Sequence, residues 1–244
     1  MKLLVIDVGN TSASAGVFRN GRVRNVRRYP SRPPEPQEVE LPPGGVEGVV
    51  IASVVPEANP LWEEIVCGRG LPPPLFVHHR LDLGVAVDYP RPERIGADRL
   101  ANAAAAARLF PLPAVVCDFG TALTFDVVDR ERGYVGGVIC PGLPLMFDYL
   151  AEKTALLPHV KPARVRAVIG RNTRQAMQIG ARLGYRGMVR EILRALREEL
   201  GGDPVVCCTG GYADWIFRNW DEEATIDPLL TLKGIGFIGE RNLH

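Results

Sequence analysis

The 244-residue sequence lacks long apolar runs, a strong charge bias and paired cysteine motifs. No run reaches the roughly 18 apolar residues needed to cross a bilayer, which argues against a membrane-spanning protein. Its five cysteines include no Cys-x-x-Cys pair, and we predict that they are buried, reduced thiols rather than disulfides or metal ligands. A formal net charge of only +1 gives no reason to expect binding to nucleic acids or membranes.

The sequence also lacks a signal-peptide pattern and a histidine motif for metals. Because an apolar β-type run begins at residue 3, we expect a cytoplasmic protein. The His78-His79 pair has no third ligand at a useful spacing, and we interpret it as the end of a strand without a metal role. An apolar content of 46% is ample for a core, so we expect a globular protein of one large or two modest domains.

A stretch near the middle of the chain, Ala114–Asp126, repeats the pattern of Leu3–Thr11. In each copy an apolar run typical of a buried strand ends in Asp-x-Gly, continues into a polar turn with a threonine, and is followed by a second β-prone segment. The aspartate lies 14 residues before the glycine of the next hairpin turn in the first copy (7 to 21) and 15 residues before it in the second (118 to 133). A single Asp-x-Gly is usually an ordinary turn, but an internal repeat of three strands is a stronger signal.

The chemistry of both turns suits phosphate. Glycine lets the backbone approach an anion closely, free N–H groups and a threonine hydroxyl donate hydrogen bonds, and an aspartate at a strand end can hold a cation. We therefore expect the two turns to bind one nucleotide.

The rest of each half predicts alternating helices and strands. In the first half we predict an antiparallel meander of strands at 3–7, 13–18 and 22–28, a proline-rich surface connection at 29–45, a strand at 49–55, a short helix at 61–66 capped by Asn59-Pro60, a strand at 75–77 and a helix at 98–109. In the second half we predict strands at 114–118, 122–128 and 134–139, a helix at 143–154, a strand at 164–169, a helix at 173–200 ended by Gly201-Gly202, a strand at 204–208 and a closing helix at 229–242.

Two glycine-containing segments suggest contacts. Gly180, Gly184 and Gly187 lie on one face of the long helix, where each glycine costs about 1 kcal/mol relative to alanine. We interpret this face as the contact surface for a partner helix in a dimer. Thr209–Gly211 follow a strand and place exposed amides at a helix N-terminus, an arrangement typical of nucleotide sites.

A three-stranded meander followed by alternating helices and strands, present twice, predicts an α/β protein of two ribonuclease-H-like domains at 1–112 and 113–244, with a nucleotide cleft between them. The pattern resembles the superfamily of acetate and sugar kinases, heat-shock ATPases and actin. Within it, eight motifs occur in the order seen in type III pantothenate kinases: Asp7–Thr11, Ala52–Pro56, Gly96–Arg99, Asp118–Ala122, Gly136–Gly142, Gly170–Thr173, Thr209–Gly211 and Asp227–Gly234.

This resemblance covers essentially the whole chain and implies a function. It implies ATP-dependent phosphorylation of pantothenate to 4'-phosphopantothenate, the first step of coenzyme A biosynthesis, by a cytoplasmic homodimer that uses Mg²⁺ and a monovalent cation, K⁺ or NH₄⁺. It also implies roles for residues at the first turn. ATP phosphates are expected at Asp7, Val8, Gly9, Asn10, Thr11, Ser12, Ala13 and Ser14, and at Gly120 and Thr121 of the second turn.

The resemblance assigns further roles to single residues. Asp7 is expected to orient Mg²⁺ through water, and Asp118 to bind the monovalent cation, although a hairpin-stabilising aspartate is the alternative. Pantothenate is expected against Tyr89, Gly96, Ala97, Asp98, Arg99 and Thr173, with Thr173 supplied by the neighbouring subunit.

Asp98 is the expected general base for the pantothenate hydroxyl, and the sequence alone offers a second interpretation. A helix N-cap or first-turn acid is favoured at the same place, and the helix N-terminus by itself lowers the pKa of such a carboxyl. The neighbouring Arg99 either pairs with a polar group of the substrate or forms a structural salt bridge.

Two other functions are compatible with this fold. A transcription-linked accessory protein is the first, but the sequence has no basic tail and no cluster of stacking aromatics. A chaperone-like or phosphatase-like ATPase is the second, but 244 residues leave no room for a substrate domain or a large lid. The discriminating residue is Asp98, because a kinase for a primary alcohol needs a carboxylate near the hydroxyl.

Overall fold

The computed structural model describes residues 1–33, 39–42, 45–163 and 165–243. These residues form two five-stranded sheets and six α-helices. The first sheet contains β1 (Lys2–Val8), β2 (Ser12–Arg19), β3 (Arg22–Pro30), β4 (Gly48–Ser53) and β5 (Leu75–Phe76). The second contains β6 (Ala114–Phe119), β7 (Ala122–Asp129), β8 (Gly133–Pro141), β9 (Val205–Thr209) and β10 (Thr225–Ile226). The helices are α1 (Asn59–Cys67), α2 (Ala97–Leu109), α3 (Leu143–Lys153), α4 (Thr173–Leu200), α5 (Ala213–Phe217) and α6 (Leu230–Asn242).

The two sheets have the same topology, which confirms the internal repeat. The first has the order β3-β2-β1-β4-β5, with an antiparallel meander of β1 to β3 and with β4 and β5 added in parallel. The second has the order β10-β9-β6-β7-β8, so that β6, β9 and β10 take the places of β1, β4 and β5. The fold is therefore the predicted α/β arrangement of two ribonuclease-H-like sheets with helices.

Turn chemistry explains why each meander closes where it does. Asn20 and Gly21 both have positive φ (51° and 73°), as a two-residue hairpin turn requires. In the second copy Gly133 has φ 75°, and the Asp129 side chain accepts hydrogen bonds from the amides of Glu131 and Arg132 at 2.9 and 3.0 Å. Both predicted turns are confirmed.

The core of the first sheet lies on both of its faces. Leu3 and Val5 of β1 pack with Leu100 of α2 and Ile235 of α6 on one side. Their neighbours Leu4 and Ile6 pack with Trp62 of α1 on the other side. Because successive side chains of a strand point to opposite faces, a strand covered twice is apolar throughout, as β1 is.

The described chain divides into two compact units. The first comprises Met1–Ala114, Asp126–Gly136 and Leu229–His244, and the second comprises Val115–Phe125 and Gly137–Pro228. The closing helix α6 thus belongs to the first unit. The division at residues 112 and 113 stays a prediction.

Some predicted features differ from the structure. The helix α1 begins at Asn59, its N-cap Ala58 makes no side-chain cap, and the buried Asn59 Oδ1 has no hydrogen-bond partner among the described residues. The predicted strand at 164–169 is wrong, since residues 165–169 form no strand, while Arg164 lies outside the described residues. Val168 and Ile169 are 70% and 77% exposed, and an alternating pattern alone cannot supply the partner strand that β-structure needs.

Smaller corrections concern cysteines, short elements and the proline-rich connection. Cys117, Cys207 and Cys208 are buried as predicted, Cys140 is partly exposed, and the prediction is wrong for the exposed Cys67. The short strand β10 was not predicted, whereas α5 is the helix expected after Gly211. Tyr29 and Pro30 extend β3, and residues 34–38 and 43–44 of the connection lie outside the described residues.

No helix of the described chain has both the length and the apolarity to cross a membrane.

Helices α2 and α6 approach each other closely through small residues. A Cβ atom on Gly234 would collide with the carbonyl group of Ala101, so only glycine allows this contact. The alanine-rich surface of α2 supplies the other half of the contact, since Ala101 and Ala104 are buried in one cluster with Ile235 of α6.

We expect Gly234→Ala to destabilise the protein by about 1–3 kcal/mol, because the added methyl group overlaps the Ala101 carbonyl. In a chain of this size, each kcal/mol lowers Tm by about 2–4 °C. Thermal unfolding measures the change. The control is Gly202→Ala, in open space beyond α4, which should change stability by less than about 0.5 kcal/mol. Equal Tm values for the two variants would contradict the close approach.

Candidate active site

Each Asp-x-Gly turn has a glycine amide that closes it. The amide of Gly9 donates to the carbonyl of Ser12 at 3.1 Å, and the amide of Gly120 donates to the carbonyl of Ala122 at 3.1 Å. The residues that follow each glycine are exposed at the tip of the turn, Asn10 and Thr11 in the first and Thr121 in the second. Each turn therefore exposes polar residues at its tip.

A cavity of about 540 Å³ adjoins the first turn. It is lined by Asn10, Thr11, Pro30, Ser31, Arg32, Val54, Val55, Pro56 and Glu57. The amide of Val54 donates to the carbonyl of Val8 at 3.0 Å, so this wall of the cavity is fixed to the end of β1. Asp7, which is next to Val8, is paired across the sheet with Ser14 and Ala52.

Asp98 lies close to the same wall. The N-cap of α2 is Gly96, and Asp98 is in the first turn, where its Oδ1 accepts the Arg99 amide at 2.8 Å. A Cβ atom on Gly96 would be 2.5 Å from Asp98 Oδ1 and 3.3 Å from Val54 Cγ1. The absence of a side chain at Gly96 thus lets the Asp98 carboxylate and the cavity wall approach each other, and the interpretation as a first-turn acid is confirmed.

The pKa of Asp98 is raised above its usual value, mainly because burial penalises the charged form. The hydrogen bond from the Arg99 amide and the charge of Arg99 lower the pKa by less. The helix N-terminus by itself lowers the pKa, as expected, but desolvation outweighs it. A raised pKa makes the carboxylate a better proton acceptor.

Arg99 forms an ion pair that crosses from α2 to β7. Its Nε lies 2.5 Å from Asp126 Oδ1, and the two side chains are 14% and 0% exposed. The predicted salt-bridge alternative for Arg99 is confirmed as a contact. Tyr134 donates its hydroxyl to Asp126 Oδ1 at 3.4 Å, and burial raises the pKa of Asp126 to about 6 even though Arg99 and Asn102 lower it.

Sequence reasoning assigned no role to Asp126, Asn102 or Tyr134. The available signal was a charged residue inside an apolar strand, since Asp126 interrupts the run from Leu123 to Val128. A carboxylate at such a place must be paired, and this pattern alone does not name its partner.

Tyr89 belongs to the same neighbourhood. Its ring centroid is 6.1 Å from that of Tyr134, and a Cβ on Gly136 would be 3.2 Å from Tyr89 Cε2. The chain before it is fixed to β8, since the Asp88 amide donates to the Tyr134 carbonyl at 2.9 Å. The structure therefore brings Tyr89 near Arg99 through Tyr134, whose ring lies 5.8 Å from the Arg99 guanidinium.

The second unit holds the remaining predicted residues. The Gly142 amide donates to the Thr121 carbonyl at 3.0 Å, and a Cβ on Gly210 would be 2.6 Å from Asp118 Oδ1. At the start of the five-residue helix α5, the amide of Tyr212 is already used by the Phe119 carbonyl at 3.2 Å. Thr173 is exposed as the first residue of α4.

Comparison with known proteins identifies the family. A model of the type III pantothenate kinase family matches residues 3–195. The chain belongs to the type III pantothenate kinase family. It is 44% identical over 248 residues to the type III pantothenate kinase of Akkermansia muciniphila, with 100% of each chain covered. It is 39% identical over 245 residues to that of Methylacidiphilum infernorum, which covers 98% of this chain and 88% of the relative.

Solved structures show the same fold. A Campylobacter jejuni protein described as a Baf family transcriptional activator has a TM-score of 0.63, at 18% identity and 97% coverage of both chains. A Sinorhizobium meliloti protein described as a 2-dehydro-3-deoxygalactonokinase has a TM-score of 0.53, at 15% identity, covering 98% of this chain and 96% of that one. At these identities the similarity concerns the fold alone.

Proposed function

We propose that the chain phosphorylates the primary hydroxyl of pantothenate with ATP, giving 4'-phosphopantothenate in the first step of coenzyme A biosynthesis. Relatives that are 34% to 44% identical over nearly the whole chain are named type III pantothenate kinase. The observation that carries the proposal is Asp98, a carboxylate of raised pKa beside the cavity wall that adjoins the first Asp-x-Gly turn. The cytoplasm, where ATP is available, is the proposed location.

The two turns are proposed to bind the phosphates of ATP. Asp7 to Ser14 at the first turn and Gly120 and Thr121 at the second supply amides and hydroxyls, which donate hydrogen bonds to phosphate. Asp7 adds a carboxylate, which is a preferred ligand of Mg²⁺. Mg²⁺ binds proteins through one or two carboxylates together with phosphates and water, so Asp7 alone suits the role assigned to it. When bound, Mg²⁺ neutralises charge on the transferred phosphoryl group.

Asp98 is proposed to orient the pantothenate hydroxyl and to accept its proton as the hydroxyl attacks the γ-phosphate. Phosphoryl transfer passes through a loose transition state, so positioning contributes most and proton acceptance comes late. The raised pKa favours this acceptance. Arg99, Tyr89, Gly96, Ala97 and Thr173 are proposed to bind the rest of the substrate.

We expect Asp98→Asn to lower kcat by roughly 10² or more, since asparagine keeps the shape but accepts no proton. The variant should not be less stable at pH 8. A carboxyl whose pKa is raised by folding costs stability when ionised, and the neutral amide removes that cost. Steady-state kinetics with pantothenate and thermal unfolding measure both effects.

The matched control is Asp214→Asn, which changes an exposed first-turn acid of α5 and should leave kcat unchanged. A fully active Asp98→Asn enzyme would show that Asp98 is only a helix-end acid.

Asp118 is proposed to bind a monovalent cation. Its carboxylate lies near the end of β6 and close to the backbone of Gly210, and a carboxylate at a strand end suits a weakly hydrated ion. Activity of salt-free protein should rise steeply with K⁺ or NH₄⁺, and Asp118→Asn should abolish that rise. Full activity in Na⁺ alone would contradict the proposal.

A homodimer is proposed through the glycine face of α4. Gly180, Gly184 and Gly187 are exposed, and a Cβ on any of them would meet no described atom within 4 Å. The second unit also exposes large apolar side chains, among them Ile139, Leu145, Tyr149, Leu156, Val168, Ile169 and Leu183. Such surfaces are typical of protein interfaces, and a partner helix that fits the glycines would offset their cost.

We expect Gly184→Leu to split the dimer and to raise KM for pantothenate in parallel, because Thr173 is assigned to the partner's pocket. Light scattering after size exclusion reports the mass, and kinetics report KM. The control Gly202→Leu adds the same bulk in open space beyond α4 and should change neither. An active Gly184→Leu monomer with normal KM would refute the shared pocket.

A transcription-linked role is not favoured. The structural relative described as a transcriptional activator shares only the fold at 18% identity, whereas relatives of much higher identity are named kinases.

A further inference from the structure

Asp126 lies at the centre of a buried polar cluster that the proposed reaction does not use. It is fully buried on β7, and Asn102 of α2 and Tyr134 of β8 are fully buried beside it. Tyr134 and Arg99 contact its Oδ1, and Asn102 hydrogen-bonds to its side chain. Thr231 of α6 donates to Asn102 Oδ1 at 2.9 Å and so fixes the amide from behind.

Burying such a cluster gives the fold little or no net stability, so its presence calls for a functional reason. A buried carboxylate loses its hydration, and its ion pair often repays no more than that loss. A well-packed apolar side chain at 126 would serve the core at least as well. The cluster also holds the Arg99 guanidinium by one edge only, since Nε binds Asp126 while the buried Nη2 has no hydrogen-bond partner among the described residues. A buried donor without a partner destabilises the fold, because it has lost its hydrogen bonds to water.

We infer that Asp126 is a positioning residue, which holds Arg99 through Nε so that the remaining guanidinium donors bind the carboxylate of pantothenate. The inference rests on the proposed function, in which Arg99 is a substrate ligand. Arg99 connects the Asp126 cluster to the proposed base, because it follows Asp98 directly in α2. A fixed guanidinium loses little entropy on binding, and its planar donors suit a carboxylate.

The cluster gives substrate binding a pH dependence of known sign. The pKa of Asp126 is raised to about 6, so the carboxyl gains a proton as pH falls through that value. A neutral Asp126 holds Arg99 less firmly. The charged and titratable groups around it are Arg99 and Asp98 of α2 and Tyr134 of β8, whose own pKa is raised far above neutrality. Below pH 9, therefore, only the two aspartates of the cluster change charge.

The experiment measures KM and kcat for pantothenate between pH 5.5 and 8 with wild type, Asp126→Asn, Arg99→Lys and Asp129→Asn. In wild type, KM should rise several-fold as pH falls from 8 to 5.5. In Asp126→Asn, KM should be raised about tenfold or more at pH 8 and should vary less with pH than in wild type, because only Asp98 is left to titrate. Asp129→Asn changes a partly exposed carboxylate at the end of the same strand and should behave as wild type.

Each outcome decides between readings. A merely structural Asp126 would lower Tm and the fraction of active enzyme while leaving KM and its pH profile unchanged. If Asp126→Asn does not fold, the wild-type profile decides, because a KM that is flat with pH refutes the inference. Raised KM in Arg99→Lys with normal KM in Asp126→Asn rejects the positioning role and keeps the substrate role of Arg99. Wild type that phosphorylates no pantothenate rejects the proposed function itself.

Discussion

Burial of β1 on both faces is the constraint on which the first unit depends. Its alternating side chains need one layer of helices on each side, and α1 covers one face while α2 and α6 cover the other. Within the second layer, Gly234 and Ala101 bring the backbones of α2 and α6 into contact. This closeness fixes α2 firmly against the sheet, and with it the residues at the N-terminus of α2.

The candidate site follows from that framework. The end of β1 carries the first turn, and the bond between Val54 and Val8 attaches the cavity wall to the same strand. The start of α2 lies against Val54, so the carboxylate of Asp98 and the turn are held by one rigid layer. Preorganisation of this kind is what phosphoryl transfer requires, since the protein contributes mainly position and charge.

Local features of the fold were predictable because their causes lie within a few residues. Apolar runs, the Asn20-Gly21 turn and the Gly201 cap each specify an element or its end, and the repeat extended this to the topology. The ion pair between Arg99 and Asp126 joins residues 27 apart, and only tertiary packing decides it. The net direction of the Asp98 pKa shift could not be predicted for the same reason, because burial is a property of the whole fold. The predicted strand at 164–169 was wrong because an alternating pattern indicates which side chains share a face but does not provide a neighbouring strand to pair with.

The place of α6 in the first unit affects synthesis. The ribosome makes residues 1–114 early, but the layer over Leu3 and Val5 is completed only when Leu230–Asn242 emerge. At 5–20 residues per second, the 128 residues from 114 to 242 take roughly 6 to 26 s. For that interval only α2 covers this apolar face of the sheet, and the part that α6 later covers is exposed on the nascent chain.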